Sequence, residues 1–314
     1  MAASRKSQST DGLLSAVSDC LGRHVSANQA VVVGLSGGID SVVLLHAVVA
    51  CGLAPSAFHV HHGISPLAGQ WADFCIALCG KWGVPIVVER VTVEPAGGGL
   101  EAAARDARHA AYGQVAADWL LLAHHRRDRA ETMLFNLLRG TGVRGAGALP
   151  ERNGRLLRPL LAVGRQDIAA YARAHGLAWV EDESNADVRH SRNFLRHRVI
   201  PGIEERFPAA TARLAAAAAH FAEAADLLDQ LALIDLAGRS AEFPVEVGLL
   251  ASLAEPRARN VLRFMLARAG VGVPREERLI EILRQCLNAA PDRHPAIAFG
   301  DRLLLRRAKR LYLE

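Results

Sequence analysis

The stretch VVVGLSGGIDSVVLLHAV, residues 31–48, decides how the chain folds. Val31 to Leu35 is a continuous apolar run rich in β-branched residues, which reads as a strand buried on both faces. The run breaks into Ser36-Gly37-Gly38-Ile39-Asp40-Ser41, and a second apolar run then reads as a helix to Cys51. Such a turn suits phosphate. Gly37 and Gly38 let backbone N–H groups approach closely, and the helix starting near Asp40 aims its positive end at the anion. Ser36 and Ser41 add hydroxyl donors, and Asp40 can hold Mg²⁺.

No Gly-Lys-Ser/Thr follows the glycines, so the loop is not of the Walker form. A Walker lysine serves cleavage between the β- and γ-phosphates. Its absence, with a metal-holding aspartate in the loop, suits an enzyme that releases the whole pyrophosphate. Attack then falls on the α-phosphate and gives an AMP adduct.

Working outward, strands and helices alternate. AFHVHH (57–62), VPIVVERVTV (84–93) and WLLLAHH (119–125) read as strands. The stretches 71–83, 99–116 and 128–140 read as helices between and after them. This alternation predicts an α/β fold with a doubly wound parallel sheet. Ligands bind such sheets beyond the carboxyl ends of the strands, where the glycine loop, His61-His62 and His124-His125 fall. The pattern then changes. IPGIEERFP (200–208) reads as a linker, followed by a long Ala/Leu helix, two further helical stretches and a strand-like pair at the end. The expected organisation is a first domain over 1–205 and a second, smaller, mainly helical domain over 206–314.

A length of 314 residues fits two domains at about 150 residues each. The net charge of +5 and the pI of 9.2 hint at a polyanionic partner. The five cysteines are odd in number and scattered, so a reducing cytoplasm is expected rather than a disulfide framework. Cys75 and Cys79, four apart, read as buried helix residues. No signal peptide or membrane span is expected, because Asp11 and then His46, Gly52 and Pro55 interrupt the candidate apolar stretches. His59, His61 and His62 lack further ligands at zinc spacing.

SGGIDS resembles the signature loop of the N-type ATP pyrophosphatases, the PP-loop proteins, which activate an oxygen by adenylation. Six further stretches narrow the resemblance: HVHHGIS (59–65), EAAARDARHAAY (101–112), AHHRRDRAET (123–132), RGTGVRGAGAL (139–149), RPLL (158–161) and EDESNADVRHSRNFLRHRVIP (181–201). In this order, they resemble the tRNA(Ile)-lysidine synthases. That resemblance implies ATP and Mg²⁺, a tRNA(Ile) with a CAU anticodon, and free L-lysine. The wobble cytidine is adenylated at its C2 oxygen, and the lysine ε-amine then displaces AMP.

The resemblance also implies site residues. Ser36, Gly37, Gly38, Ile39, Asp40, Ser41 and His61 would bind ATP. Asp40, Asp128 and Glu131 would hold Mg²⁺, the last two lying three apart on one helix face. Arg105 and Arg108 would stabilise charge at the α-phosphate, and His124 and His125 would touch phosphate or cytosine. Acids at 181–183 would meet the lysine ammonium. Arg189, Arg192, Arg196 and Arg198, with the tail cations Arg302, Arg306, Arg307, Lys309 and Arg310, suit RNA phosphate.

The sequence departs from the family where Arg127 and Arg129 replace an acid and a glutamine, and where His109 replaces a tyrosine. Both new arginines are read as tRNA phosphate contacts. The alternatives are a PP-loop tRNA thiolation enzyme, which needs a cysteine near the nucleotide, and a non-catalytic RNA- or nucleotide-binding relative. The sequence leaves the oligomeric state open between monomer and homodimer.

Overall fold

The computed structural model describes residues 2–93, 100–181, 191–289, 295–299 and 302–314. They pack as two units, one of Met1–Phe135 with Ala148–Ala218, the other of Asn136–Gly147 with Ala219–Glu314.

The first unit begins with α1 (Ala2–His24), β1 (Val31–Gly34), α2 (Ile39–Ala50), β2 (Ser56–His61), α3 (Ala68–Trp82) and β3 (Ile86–Arg90). It continues with α4 (Leu100–Gly113), β4 (Trp119–Leu121) and α5 (Arg126–Leu138), the last entering the second unit. The sheet order is β3-β2-β1-β4, extended beyond β4 by a short hairpin. β1 pairs in parallel with both β2 and β4. The chain therefore winds outward from β1 to β3, then returns to the other side of β1. That reversal makes the β1/β4 boundary the topological switch point, where doubly wound sheets bind ligands.

Local sequence explains these elements. Val31–Gly34 is buried along its length, as expected of a parallel strand covered on both faces. At Gly34 a Cβ would come within 2.9 Å of Leu122 Cδ2 and Tyr112 Oη, so only glycine lets the neighbours close in. α2 is apolar nearly all round and buries Val42–Leu45, Ala47 and Val48, which marks a helix inside the core. Cys75 and Cys79 lie fully buried on α3, as read from the sequence.

After α6 (Val143–Ala146), which belongs to the second unit, come the two-residue strands β5 (Arg152–Asn153) and β6 (Leu156–Leu157). β6 joins β4 in parallel, and β5 closes the sheet edge antiparallel to β6. α7 (Arg165–Ala174) packs on α1 and α2. α8 (Ser191–Phe194) runs through a π-helical turn (Leu195–Val199) into α9 (Ile200–Arg206). Residues 200–206 are thus a helix and not the expected linker. Pro201 and Gly202 look like breakers in sequence, but Pro201 stands in the first turn of α9, where its missing N–H costs nothing, and Ile200 is buried.

α10 (Ala210–Asp235) leads into the second unit, which holds β7 (Val245–Glu246), α11 (Val247–Ser252), α12 (Glu255–Arg268) and α13 (Glu276–Asn288). β8 (Ala296–Phe299), β9 (Arg302–Arg307) and β10 (Arg310–Leu313) follow. The expected strand pair is in fact a four-stranded antiparallel sheet, ordered β7-β10-β9-β8. Val245, Ile297, Leu304 and Leu311 bury one side of it against Leu262, Met265, Leu279 and Leu283 of the helices. No helix among the described residues is long and apolar enough to cross a membrane.

On the far side of α2, His46 Nδ1 lies 2.9 Å from the Tyr171 hydroxyl, with the His175 ring 4.9 Å away. Burial, helped by His175, holds His46 below the ordinary imidazole value of 6.5. Burial does the same to His59, His109 and His124. The unfolded chain imposes no such penalty, so it binds more protons as pH falls through that value. Stability is therefore greatest with these rings neutral and declines as pH falls from about 7.5, continuing to about pH 4 for His124. Urea unfolding across that range will show the midpoint falling with acid, and His46→Gln will flatten the slope. A midpoint independent of pH contradicts the assignment.

Candidate adenylation site

The loop after β1 is held by its own serines. Ser36 N–H donates to Ser41 Oγ at 3.1 Å, and the two hydroxyls lie 3.0 Å apart. Ser41 Oγ donates to the Gly38 carbonyl at 2.9 Å, and Gly38 N–H donates to Ser36 Oγ at 3.3 Å. Gly37 sits at φ +87°, where a Cβ would also press on Val180 Cγ2 at 2.9 Å and Cys75 Sγ at 3.2 Å. Its carbonyl accepts from Val180 N–H at 3.0 Å. Ile39 and Asp40 open α2 immediately afterwards. The loop is thus a preset turn at a helix N-terminus, the form in which backbone N–H groups meet phosphate.

The loop after β4 faces it. His125, 2 % exposed, stands between two carboxylates. Its Nε2 is 3.8 Å from Asp40 Oδ1, and its Nδ1 is 3.5 Å from Asp128 Oδ2. Asp128 Oδ2 also accepts the His125 backbone N–H at 2.9 Å and so closes the first turn of α5. Burial raises the Asp40 carboxyl above its usual range despite the opposing charges of His125 and Arg165. For Asp128, burial also pushes upward, but His125, His124, the His125 N–H and Arg196 prevail and hold it low. Asp40 Oδ1 is buried and accepts no hydrogen bond. A buried carboxylate oxygen without a donor has capacity for a cation, so the donor set fits a hard metal ion at Asp40, with Asp128 across His125.

Glu131 does not complete a three-carboxylate cluster. Among the described residues no group of three or more His, Cys, Asp or Glu side chains is spaced to hold a metal. Glu131 is 2 % exposed and takes a two-pronged ion pair from Arg196, Nε to Oε1 at 2.8 Å and Nη2 to Oε2 at 2.7 Å. Arg196 Nη2 also reaches Asp128 Oδ1 at 3.1 Å. Arg127 adds a second guanidinium, with Nε 3.3 Å from Glu131 Oε1 and Nη2 donating to the Arg196 carbonyl. Arg127 and Arg196, both expected at RNA phosphate, therefore turn inward to a buried acid.

A cation cluster surrounds His124. Arg158, 5 % exposed, donates from Nε to His124 Nδ1 at 3.3 Å and from Nη1 to the Pro150 carbonyl at 2.8 Å. Arg192 donates to Thr132 Oγ1 at 3.1 Å. Burial, with the charges of Arg158, Arg192 and Arg105 outweighing Asp128, lowers His124 to about 4. Arg158 and Arg192 are themselves lowered, first by burial and then by Arg105. Arg108 Nε donates to His62 Nε2 at 3.3 Å. Cations gathered at a strand end, mutually repelling, suit a polyanion.

The remaining expectations fall as follows. His61 ends β2 and is half-buried. His59 is a core residue, its Nδ1 2.8 Å from the Leu35 carbonyl. Arg306 donates from Nη1 to the Cys286 and Ala289 carbonyls, both at 2.8 Å, and so serves the end of α13 rather than an open surface. Arg307 and Arg310 are exposed on β9 and β10, paired with Glu314 at 2.7 Å and Glu246 at 3.7 Å. Glu181 is exposed, while Asp182, Glu183 and Arg189 lie outside the described residues. Sequence reasoning missed Arg165, whose Nη1 is 3.6 Å from Asp40 Oδ2, and gave Arg158 no role of its own; His125, expected at phosphate or cytosine, stands between Asp40 and Asp128. The doubled His124-His125 and the RPLL stretch were the available signals.

Comparison with known proteins agrees with this geometry. A PP-loop domain model matches residues 8–203, and a TilS substrate binding domain model matches residues 246–312. The chain is 42 % identical over 294 residues to the tRNA(Ile)-lysidine synthase of Nitrosomonas europaea, covering 88 % of this chain and 64 % of that protein. It is 48 % identical to that of Azoarcus sp. over 82 % of this chain and 59 % of the relative. With the synthase of Coxiella burnetii it shares 39 % identity over 92 % of this chain and 67 % of the relative. The chain thus spans roughly three-fifths of the length of the first two relatives and two-thirds of the third. Among solved structures, the U34-tRNA thiolase NcsA from Methanococcus maripaludis, with its [4Fe-4S] cluster, superposes with a TM-score of 0.57 at 17 % identity. That match covers 69 % of this chain and 80 % of the other, a likeness of fold alone. With a PP-loop domain on its switch point and the relatives' sequence over most of its length, the chain belongs to the tRNA(Ile)-lysidine synthase family.

Proposed function

We propose that this chain adenylates the C2 oxygen of the wobble cytidine in a CAU-anticodon tRNA(Ile) and then joins free L-lysine to that carbon. The products are lysidine, AMP and pyrophosphate. The observation that carries the reading is the meeting of the SGGIDS loop and the AHHRRDRAET segment at one ring, His125, on the two strands that flank the switch point. Residues 1–205 act as the adenylation domain and 206–314 as the tRNA-binding domain.

Each step draws on residues of this chain. The N–H groups of the Ser36–Ser41 loop and the start of α2 receive the phosphates. Asp40 and Asp128 would hold Mg²⁺, which would supply charge neutralisation for the leaving pyrophosphate. Arg105, Arg108 and Arg192 offset the charge that develops at the α-phosphate as the C2 oxygen attacks. His124, kept uncharged, donates a hydrogen bond there. Glu131 acts through Arg196, which it holds in place beside Asp128. The lysine amine then attacks C2 and AMP departs. Arg307 and Arg310, whose surface ion pairs exchange at little cost, meet RNA phosphate in the second domain.

Thiolation finds less support. The cysteine nearest the loop, Cys75, is fully buried, and burial pushes its thiol up to about 12. A thiol so raised is a poor sulfur carrier.

ATP turnover with a CAU-anticodon tRNA will give AMP and pyrophosphate, and only in the presence of that tRNA. ADP with inorganic phosphate would sink the reading. Asp40→Asn will lower adenylation by roughly 10²–10³, the scale for one electrostatic group. It will keep or raise the melting temperature, because the folded state already disfavours the charged carboxylate. Wild-type activity in Asp40→Asn reduces Asp40 to a helix cap.

Alanine substitutions separate the arginines. Arg127→Ala will lower adenylation while leaving the salt dependence of tRNA binding unchanged, since its guanidinium faces Glu131. Arg307→Ala or Arg310→Ala will instead flatten that dependence by about 0.7–0.9 in log–log slope for each phosphate no longer neutralised. Fluorescence anisotropy with labelled tRNA across a salt series distinguishes the two patterns. A flattened slope for Arg127→Ala alone would reverse the assignment.

A further inference from the structure

We infer that Arg158 is a positioning residue that fixes His124 as its Nε2–H tautomer, so that the ring offers one oriented donor to the phosphate chemistry beside β4. The consequence for rate rests on the adenylation reading above; the tautomer does not.

A guanidinium carries donors only. When Arg158 Nε donates to His124 Nδ1 at 3.3 Å, Nδ1 must present a lone pair, and the proton of the neutral ring is left on Nε2. The sheet holds the two partners together. Leu121 of β4 registers with Leu157 of β6, and Leu122 N–H donates to the Leu157 carbonyl at 2.9 Å. Arg158 therefore leaves its strand beside the place where the chain runs on to His124. The bond from Nη1 to the Pro150 carbonyl anchors the other side of the guanidinium. Arg105 and Arg192 discourage a second proton on the ring.

The neighbouring His125 takes its Nδ1 partner from the backbone instead. Its Nδ1 accepts the backbone N–H of Arg127 at 3.1 Å. No side-chain substitution at residue 158 removes that donor, so His125 is an internal control for the state of its neighbour. Orienting partners of this kind typically change activity by about 10–100-fold when removed.

The experiment is long-range ¹H–¹⁵N spectroscopy of ring-labelled full-length chain at neutral pH, without substrates, with His124 and His125 assigned from His124→Gln and His125→Gln spectra. His124 is expected as the neutral Nε2–H tautomer in the wild type. Finding His124 protonated at Nδ1 overturns the inference, whatever reaction the chain performs and whether or not any variant folds. Arg158→Met will turn the His124 signal into a tautomer mixture and leave His125 unmoved, while Arg158→Lys, which retains a donor, will partly restore the Nε2–H form. A His124 signal unchanged in folded Arg158→Met also overturns it.

Adenylation assays add the functional arm. Arg158→Met is expected to lower kcat by about 10–100-fold with little change in KM for ATP, and to add almost nothing in a His124→Gln background. Additive losses would make Arg158 an independent phosphate ligand and defeat the positioning role. Absence of adenylation in the wild type would instead count against the proposed function and leave the tautomer result standing.

Discussion

The site depends on the ion pair between Arg196 and Glu131. Glu131 is buried on the second turn of α5, where an unpaired carboxylate would be intolerable. Breaking a buried pair by removing one partner costs about 3–5 kcal/mol. The pair therefore ties the segment after residue 191 to α5. Arg196 comes from a π-helical turn, Leu195–Val199. Such widened turns are uncommon and concentrate at functional sites, because the extra residue per turn re-aims a side chain. Arg192, from the preceding turn, lands on Thr132, the residue next to Glu131. One irregular helix thus delivers two cations to one face of α5.

That arrangement explains how the chain tolerates Arg127 where the family resemblance implies an acid. An acid there would stand four residues from Glu131, on the same helix face, with Asp128 alongside. Arg127 instead contributes a guanidinium to Glu131 and a hydrogen bond to the Arg196 backbone. The departure strengthens the lock on the Leu195–Val199 turn and leaves Asp128, held low by its neighbours, as the charged acid facing Asp40 across His125. The end of β4 then divides the electrostatics. His125 looks onto carboxylates and His124 onto arginines, though the two are adjacent in sequence.

The β1–β4 half of the sheet was legible because a parallel strand buried on both faces must be apolar throughout, and 31–35 and 119–122 could be little else. The glycine loop was legible for the converse reason, since a run of small and hydroxyl residues inside an apolar stretch has few structural uses. Arg158 was not legible as a partner of His124. Its bond spans 34 residues and exists only because β6 lies beside β4, a pairing of two-residue strands that leaves almost no periodic trace. Arg306 misled for a related reason. A row of tail cations reads as a solvated patch, but Arg306 Nη1 serves carbonyls at the end of α13, and only the packed second unit reveals it. The helix at 200–206 was hidden by Pro201 and Gly202, whose effect depends on position within the turn.

Asp40 shows what the arrangement costs. Its carboxyl is raised by burial, its Oδ1 accepts no hydrogen bond, and its ion pair with Arg165 is long at 3.6 Å. Burial and the missing donor oppose the folded state, and the long ion pair offsets little of that. Asp40 is the second residue of α2, after the N-cap Gly38, and a neutral polar residue there would avoid the cost of a buried charge. The Asp128 carboxylate nearby is, by contrast, fully provided with donors. The asymmetry follows from what each must do. Asp128 orders the His125 turn and needs its partners at all times. On the proposed reading, Asp40 keeps a lone pair free for a cation that arrives with the nucleotide, beside an Asp128 already fixed in place. The member short of donors is thus the one proposed to meet the ligand, while the other fixes the ring between them.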